Sequence, residues 1–191
     1  MGHKNVEIRD LFEISPIITA VKDDEGVEHA FNTESPVVFI LYGTICTIAD
    51  VVERLKEHGK IAIVHADLIS GLSSKDVAVD FIHQNTHADG IISTKAPLVK
   101  RAMELGMIAG QRTFLIDSIA LETTKKQLAV LKPDFMEIMP GVMPKIFKVI
   151  RSYTDIPLVA GGLISDKKDI IAAFDAGVDA VSTTKEELWG L

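Results

Sequence analysis

Several apolar runs of this 191-residue chain end in, or closely precede, residues able to hold a charged ligand. Lys22 closes the run 17–21, and Tyr42 follows 37–41. His65 ends 61–65 with Asp67 two residues on, and Lys95 follows 90–94. Arg112 comes shortly after 107–109, and Glu137 lies inside 134–138. If 65–67 is extended, His65 and Asp67 project to the same side, because strand side chains alternate. A buried charge needs a partner. Lys22, Lys95 and Arg112 therefore require acids or an anion beside them, and Asp67 and Glu137 are the acids at hand. The set is either a self-neutralising ring of ion pairs or a polar cup that orients a hydroxylated anion, and the two are compatible.

A second constellation lies near the carboxyl end. Ile156-Pro-Leu-Val-Ala-Gly-Gly-Leu-Ile-Ser165 and Ala176-Gly-Val-Asp-Ala-Val-Ser-Thr-Thr-Lys185 each run from apolar residues into groups with accessible main-chain amides. Gly161 and Gly162 lack a side chain that would hold a ligand off the backbone. Ser182, Thr183 and Thr184 stand where a strand hands over to a final helix predicted over 185–189. A helix N-terminus presents unpaired N–H groups and partial positive charge, which suits a phosphate. The alternative is that Gly and Thr merely cap ordinary strand-to-helix turns.

The elements that must position these groups alternate. Predicted strands cover 17–21, 37–41, 61–65, 90–94, 107–109 and 134–138, with two more in the glycine- and threonine-bearing segments. Between them lie runs with helical spacing, such as Ile48, Val51, Val52 and Leu55. Asp23 opens the first helix and His58-Gly59 ends the second. Ser73 or Ser74 caps the third, Pro97 to Gly106 bounds the fourth, the fifth spans about 119–131, and the sixth reaches about Tyr153. Eight βα repeats without a composition break predict a single (β/α)8 barrel over 15–191, preceded by a segment 1–14 in which residues 6–12 form a helical turn over the barrel floor. A doubly wound open sheet would more often carry a glycine-rich loop after its first strand, and no G-x-G-x-x-G occurs. In such a barrel the strand C-termini face the ligand, and the loops after strands seven and eight commonly bind phosphate.

Composition sets the remaining bounds. Hydrophobic residues make up 47% and aromatic residues 6%, so the core is mostly aliphatic. The net charge of −7 argues against nucleic-acid binding by bulk electrostatics. Lys145, Lys148 and Arg151 form a spaced basic stripe on the sixth helix, either a solvated face or a contact for phosphate backbone. Lys56, Lys60, Lys75, Lys125, Lys126, Lys167 and Lys168 read as solvated surface. Single Cys46 cannot form an internal disulfide, and no segment has the length of a membrane span, which together predict a cytoplasmic protein. There is no Walker lysine loop and no Cys or His cluster at zinc spacing, so no cofactor or metal is expected.

Five strings taken together resemble the glycerol uptake operon antiterminator family: His65-Ala-Asp-Leu-Ile-Ser-Gly-Leu72, Gly90-Ile-Ile-Ser-Thr-Lys95, Gln111-Arg-Thr-Phe-Leu-Ile-Asp-Ser118, Met139-Pro-Gly141 and Ala160-Gly-Gly-Leu-Ile164. The resemblance runs from about Ser15 to Trp189 and includes Ser182-Thr-Thr-Lys185. It implies a TIM-type barrel, glycerol 3-phosphate as effector and a leader messenger RNA as partner, with Asp67, Lys95, Arg112, Glu137, Gly162, Ser182 and Thr183 at the mouth. It departs at the first strand, where Thr19 and Lys22 replace an expected proline and arginine. Lysine there keeps the charge but loses the bidentate fork. The competing function for the same residues is an enzyme on triose or sugar phosphates. In that reading Lys22 or Lys95 forms a Schiff base and Glu137 or Asp67 acts as a base.

Overall fold

The structure, a computed structural model, describes residues 7–191. Its elements are α1 (Ile8–Ile14), β1 (Ile17–Val21), α2 (Asp24–Ala30), β2 (Val37–Ile40), α3 (Ile48–Glu57), β3 (Ile61–His65), α4 (Val77–Asn85), β4 (Gly90–Ser93), α5 (Ala96–Glu104), β5 (Ile108–Phe114), α6 (Ser118–Val130), β6 (Phe135–Met139), α7 (Pro144–Arg151), β7 (Leu158–Gly161), α8 (Lys167–Asp175) and β8 (Ala180–Thr183). Eight parallel strands close in sequence order, β8 pairing back to β1 through Ile17↔Val181, Ile18↔Ser182 and Thr19↔Thr183. The barrel predicted from alternation is the fold.

Alternation along each strand separates two cores. Ile18, Ala20, Phe39, Ile63, Ile92, Phe135, Val159 and Ala180 fill the interior, and Phe39 stacks on Phe135. Ile8, Leu11 and Phe12 of α1 close this interior from below, as expected for the floor, although Val6 of the predicted turn lies outside the described residues. The opposite strand faces, among them Val38, Ile40, Val64, Ile91, Ile138 and Ala160, pack against the helices.

Three aspartates lock strand starts at the floor. Asp89, Asp134 and Asp179, just ahead of β4, β6 and β8, each give a main-chain N–H to the carbonyl of Ala62, Ala109 and Leu158. The side chain of each then accepts the N–H of that same residue at 2.8 Å. Lys56 salts the first of these brackets and Arg151 the third.

Four sequence expectations change. β5 does not stop at Ala109 but runs to Phe114, because Gly110 is a packing position rather than a turn. A Cβ there would lie 2.2 Å from Cζ of Phe135, so glycine makes room for the ring inside the barrel. The helix after β3 starts at Val77, with Asp76 rather than a serine at its N-cap. Residues 185–189 make only a 3-10 turn at Glu186–Leu188. Lys60 is not solvated: it is buried and donates to the carbonyls of Thr33 at 2.6 Å and Ser35 at 3.0 Å.

Candidate functional site

The upper interior layer is polar. Register sets Arg112 of β5 beside Glu137 of β6, and Gly161 of β7 beside Ser182 of β8. Arg112 Nε donates to Glu137, and Ser182 Oγ donates to the other carboxylate oxygen at 2.5 Å. Glu137 is 1% exposed, so these donors stand in for the water it has lost. Gly161 explains how the carboxylate fits. A Cβ at that position would lie 2.4 Å from Glu137 Oε1 and 2.9 Å from Ser182 Oγ. The first of the two glycines thus clears space for an acid, a role the sequence reading did not assign.

Above this layer opens a cavity of about 230 Å³ lined by Arg112, Glu137, Met139, Gly162, Leu163, Ile164, Ser182, Thr183 and Thr184 together with Ala20 and Leu41. The turn after β7 is left-handed at two consecutive residues, Gly162 (φ 71°) and Leu163 (φ 60°). Glycine adopts this freely, but leucine does so at a cost of about 1–2 kcal/mol. Strain of this kind persists where the surroundings fix it, commonly at ligand sites. Among the described residues, the amides of Gly162, Leu163, Ile164 and Thr184 donate to no protein acceptor. Lys185 joins the two turns by donating from Nζ to the Ser165 carbonyl at 3.1 Å. The corner therefore offers amides and hydroxyls supported by one guanidinium. It does not rely on a helix dipole, because the final segment is a single 3-10 turn.

A second cluster sits beside the first. Asp67 lies in a 3-10 turn (Ala66–Leu68), not on an extended strand, yet its carboxylate still comes within 3.6 Å of His65 Nδ1. It accepts from the Thr94 amide at 2.8 Å, from Ser93 Oγ at 3.0 Å and from Lys95 Nζ at 3.1 Å. Burial alone would raise its pKa, but these hydrogen bonds outweigh it and hold the carboxyl below its ordinary value. Lys95 also donates to Ser74 Oγ at 2.7 Å, so it ties the loop after β3 to the start of α5. His65 is pushed down to about 4, first by burial and then by the Arg112 charge, which keeps the imidazole neutral near pH 7.

The remaining expected residues are placed elsewhere. Lys22 is exposed and does not border the cavity. Tyr42 turns to the rim and donates to Asp24 at 2.8 Å, and its hydroxyl pKa is raised by burial and by that carboxylate. Lys145 and Lys148 are exposed on α7. Arg151, the third member of the basic stripe, bonds the carbonyls of Gly177 and Ile156 and the Asp179 carboxylate, so it belongs to the floor. Leu163, Ile164, Ser74 and Ser93 were missed. Nothing in their type distinguishes them, because backbone shape or a long-range contact gives them their part.

A family model described as glycerol-3-phosphate responsive antiterminator matches residues 17–189. The chain belongs to this family. An antiterminator regulatory protein of the glycerol uptake operon from Listeria monocytogenes superposes with a TM-score of 0.88 at 30% identity, covering 92% of this chain and 95% of that one. A related protein from Thermotoga maritima gives 0.82 at 29% identity, over 92% and 98% of the two chains. An uncharacterised Escherichia coli K12 protein, YgcP, is 42% identical over 181 residues, 95% of each chain. Orotidine 5'-phosphate decarboxylase from Pyrococcus horikoshii, at 20% identity and a TM-score of 0.66, shares the fold alone. As in other barrels, this antiterminator family member carries its polar cluster at the strand C-termini. No helix among its described residues is long and apolar enough to cross a membrane.

Proposed function

We propose that this antiterminator family member is a regulator whose mouth binds glycerol 3-phosphate without converting it. The supporting observation is the cavity at the β7 and β8 turns, with unpaired amides on its wall and the Arg112–Glu137–Ser182 cluster at its base. The phosphate sits on the amides of Gly162, Leu163, Ile164 and Thr184, with Ser182, Thr183 and Arg112 adding hydrogen bonds. The glycerol hydroxyls face Glu137, a buried acceptor that a hydroxyl donor suits. His65, Asp67 and Lys95 hold the neighbouring wall and the loop after β3. The partner is a leader messenger RNA, met through Lys145 and Lys148 rather than through Arg151.

The enzyme reading gains nothing from the geometry. Among the described residues no lysine lines the cavity, and Lys95 is bound to Asp67 and Ser74 outside it, so the Schiff-base version lacks a nucleophile there. Isothermal titration with glycerol 3-phosphate tests the effector: saturable heat is expected, weakened at least tenfold by Ser182→Ala. Absence of heat at millimolar ligand refutes it. In gel retardation with a leader transcript, the double charge reversal Lys145→Glu, Lys148→Glu is expected to weaken binding and flatten its salt dependence. Failure of wild type with effector to shift the transcript removes the RNA half.

A further inference from the structure

Neighbouring residues of β5 serve opposite faces of the barrel wall. Arg112 points into the mouth, whereas Gln111 points outward beneath α6. The Gln111 amide nitrogen donates to the carbonyls of Ser93 at 3.3 Å, Thr94 at 3.1 Å and Arg112 at 3.0 Å. Three acceptors around one terminal atom identify it as the nitrogen, so the other atom is the oxygen. That oxygen, Oε1, is buried and has no protein partner among the described residues. An unmet buried acceptor of this kind costs about 1–3 kcal/mol.

The surroundings suit a ligand. α6 buries only Thr124 and Leu128 over its 13 residues, and a groove of about 400 Å³ separates it from β5. Gln111, Arg112, Thr113, Phe114, Ile119 and Gln127 line this groove, a volume within the usual range of small-molecule sites. Phe114 is 53% exposed, Ile116 83% and Ile119 74%, an uncommon concentration of apolar surface where β5 hands over to α6. Asp117 stands at the rim. An acceptor on the floor and a carboxylate at the edge call for a ligand that donates hydrogen bonds, and Arg112, which also borders the groove, is already paired with Glu137. A free aromatic face and aliphatic flanks favour a flat ring.

We infer that the groove between β5 and α6 is a second binding site, for a planar heterocycle with an N–H donor, the chemistry of a nucleobase. Its amino or ring N–H meets Gln111 Oε1 as the lightly anchored α6 swings outward, and its face stacks on Phe114 beside Ile119. A free nucleotide and an unpaired base of an RNA strand present this same chemistry. The site shares only Arg112 with the lining of the mouth and does not depend on the effector reading.

The test is titration of the full chain with adenosine, followed by ligand-observed NMR. Saturable binding is expected for adenosine, and N6,N6-dimethyladenosine, whose amino group cannot donate, should bind at least tenfold more weakly. Phe114→Ala should cost about tenfold or more, as expected for loss of one base–aromatic stack. Phe114 is exposed, so the variant should keep its melting temperature and its glycerol 3-phosphate titration, which separates failure here from failure at the mouth. Competition by adenosine monophosphate without competition by a short single-stranded adenine oligonucleotide supports the site as one for free nucleotide; competition by the oligonucleotide, lost in Phe114→Ala, supports a strand. No saturable adenosine binding, equal binding of the dimethyl analogue, or unchanged binding to Phe114→Ala overturns the proposal.

Discussion

Gly161→Ala should disarm the mouth although glycine itself offers no functional group. The backbone there is not left-handed, so the cost is steric rather than conformational. The new methyl would fall 2.4 Å from Glu137 Oε1, 2.8 Å from its Cδ and 2.9 Å from Ser182 Oγ. The carboxylate must retreat by most of an ångström, yet it is held by Arg112 on one oxygen and Ser182 on the other. Hydrogen bonds to charged groups contribute roughly 1.5–3 kcal/mol each, and the acid has no water to turn to. Losing one of the two costs about 2–3 kcal/mol. At about 2–4 °C per kcal/mol for a chain of this size, the melting temperature should fall by about 4–12 °C. Differential scanning fluorimetry with and without glycerol 3-phosphate reads both consequences, since the stabilisation given by ligand should shrink as well. Gly106→Ala is the control: its φ is 71° and no described residue lies within 4 Å of a new Cβ, so it reports backbone strain alone, about 1–2 kcal/mol. If Gly161→Ala melts within a degree of wild type and binds glycerol 3-phosphate normally, the assignment of that glycine to Glu137 is wrong.

Two further outcomes follow from the same geometry. The folded pKa of His65 is about 4 against an ordinary value of 6.5, so the unfolded chain takes up the proton first. That contribution to stability is complete above about pH 6.5 and is lost as the pH falls toward 4. It amounts to ~3 kcal/mol. Urea midpoints of wild type should fall across this window and those of His65→Gln should fall less; parallel curves would rule out His65 as the source. For α7, Arg151→Ala should cost about 2 kcal/mol or more in urea unfolding, because Asp179 and several carbonyls lose their partner. Lys145→Ala and Lys148→Ala should each stay within about 0.5 kcal/mol of wild type, and an equal effect at all three positions would contradict the separation of floor from surface.

The barrel was legible because its strands are aliphatic runs punctuated by caps and glycines, and local chemistry decides such features. Asp23 does accept the Gly26 amide at 2.9 Å, and Thr183 and Ser182 do border the cavity. Legibility failed where a neighbour distant in sequence decides the matter. Gly110 looks like a turn until the Phe135 ring, 25 positions away, is set against it. Lys60 looks solvated until the carbonyls of Thr33 and Ser35 close around its ammonium. Arg151 shares helical spacing with Lys145 and Lys148, but periodicity carries no sign that one of the three faces the strand starts. Lys22 ends an apolar run as Arg112 nearly does, yet it is exposed while Arg112 is buried inside the mouth. Asp67 arrived beside His65 by a tight turn and not by the alternation from which their proximity was expected.

The aspartate brackets at the floor impose a grammar of twos on an otherwise even ring. Each clasps an even-numbered strand to its odd-numbered predecessor, joining β3 to β4, β5 to β6 and β7 to β8, while among the described residues no such aspartate bracket spans the seams between these couples. Breaking the polypeptide at a seam, as between β4 and β5, leaves every clasp whole, whereas a break between β5 and β6 asks Asp134 to find Ala109 across a gap. Circular rearrangement of this chain is thus better begun at the seams.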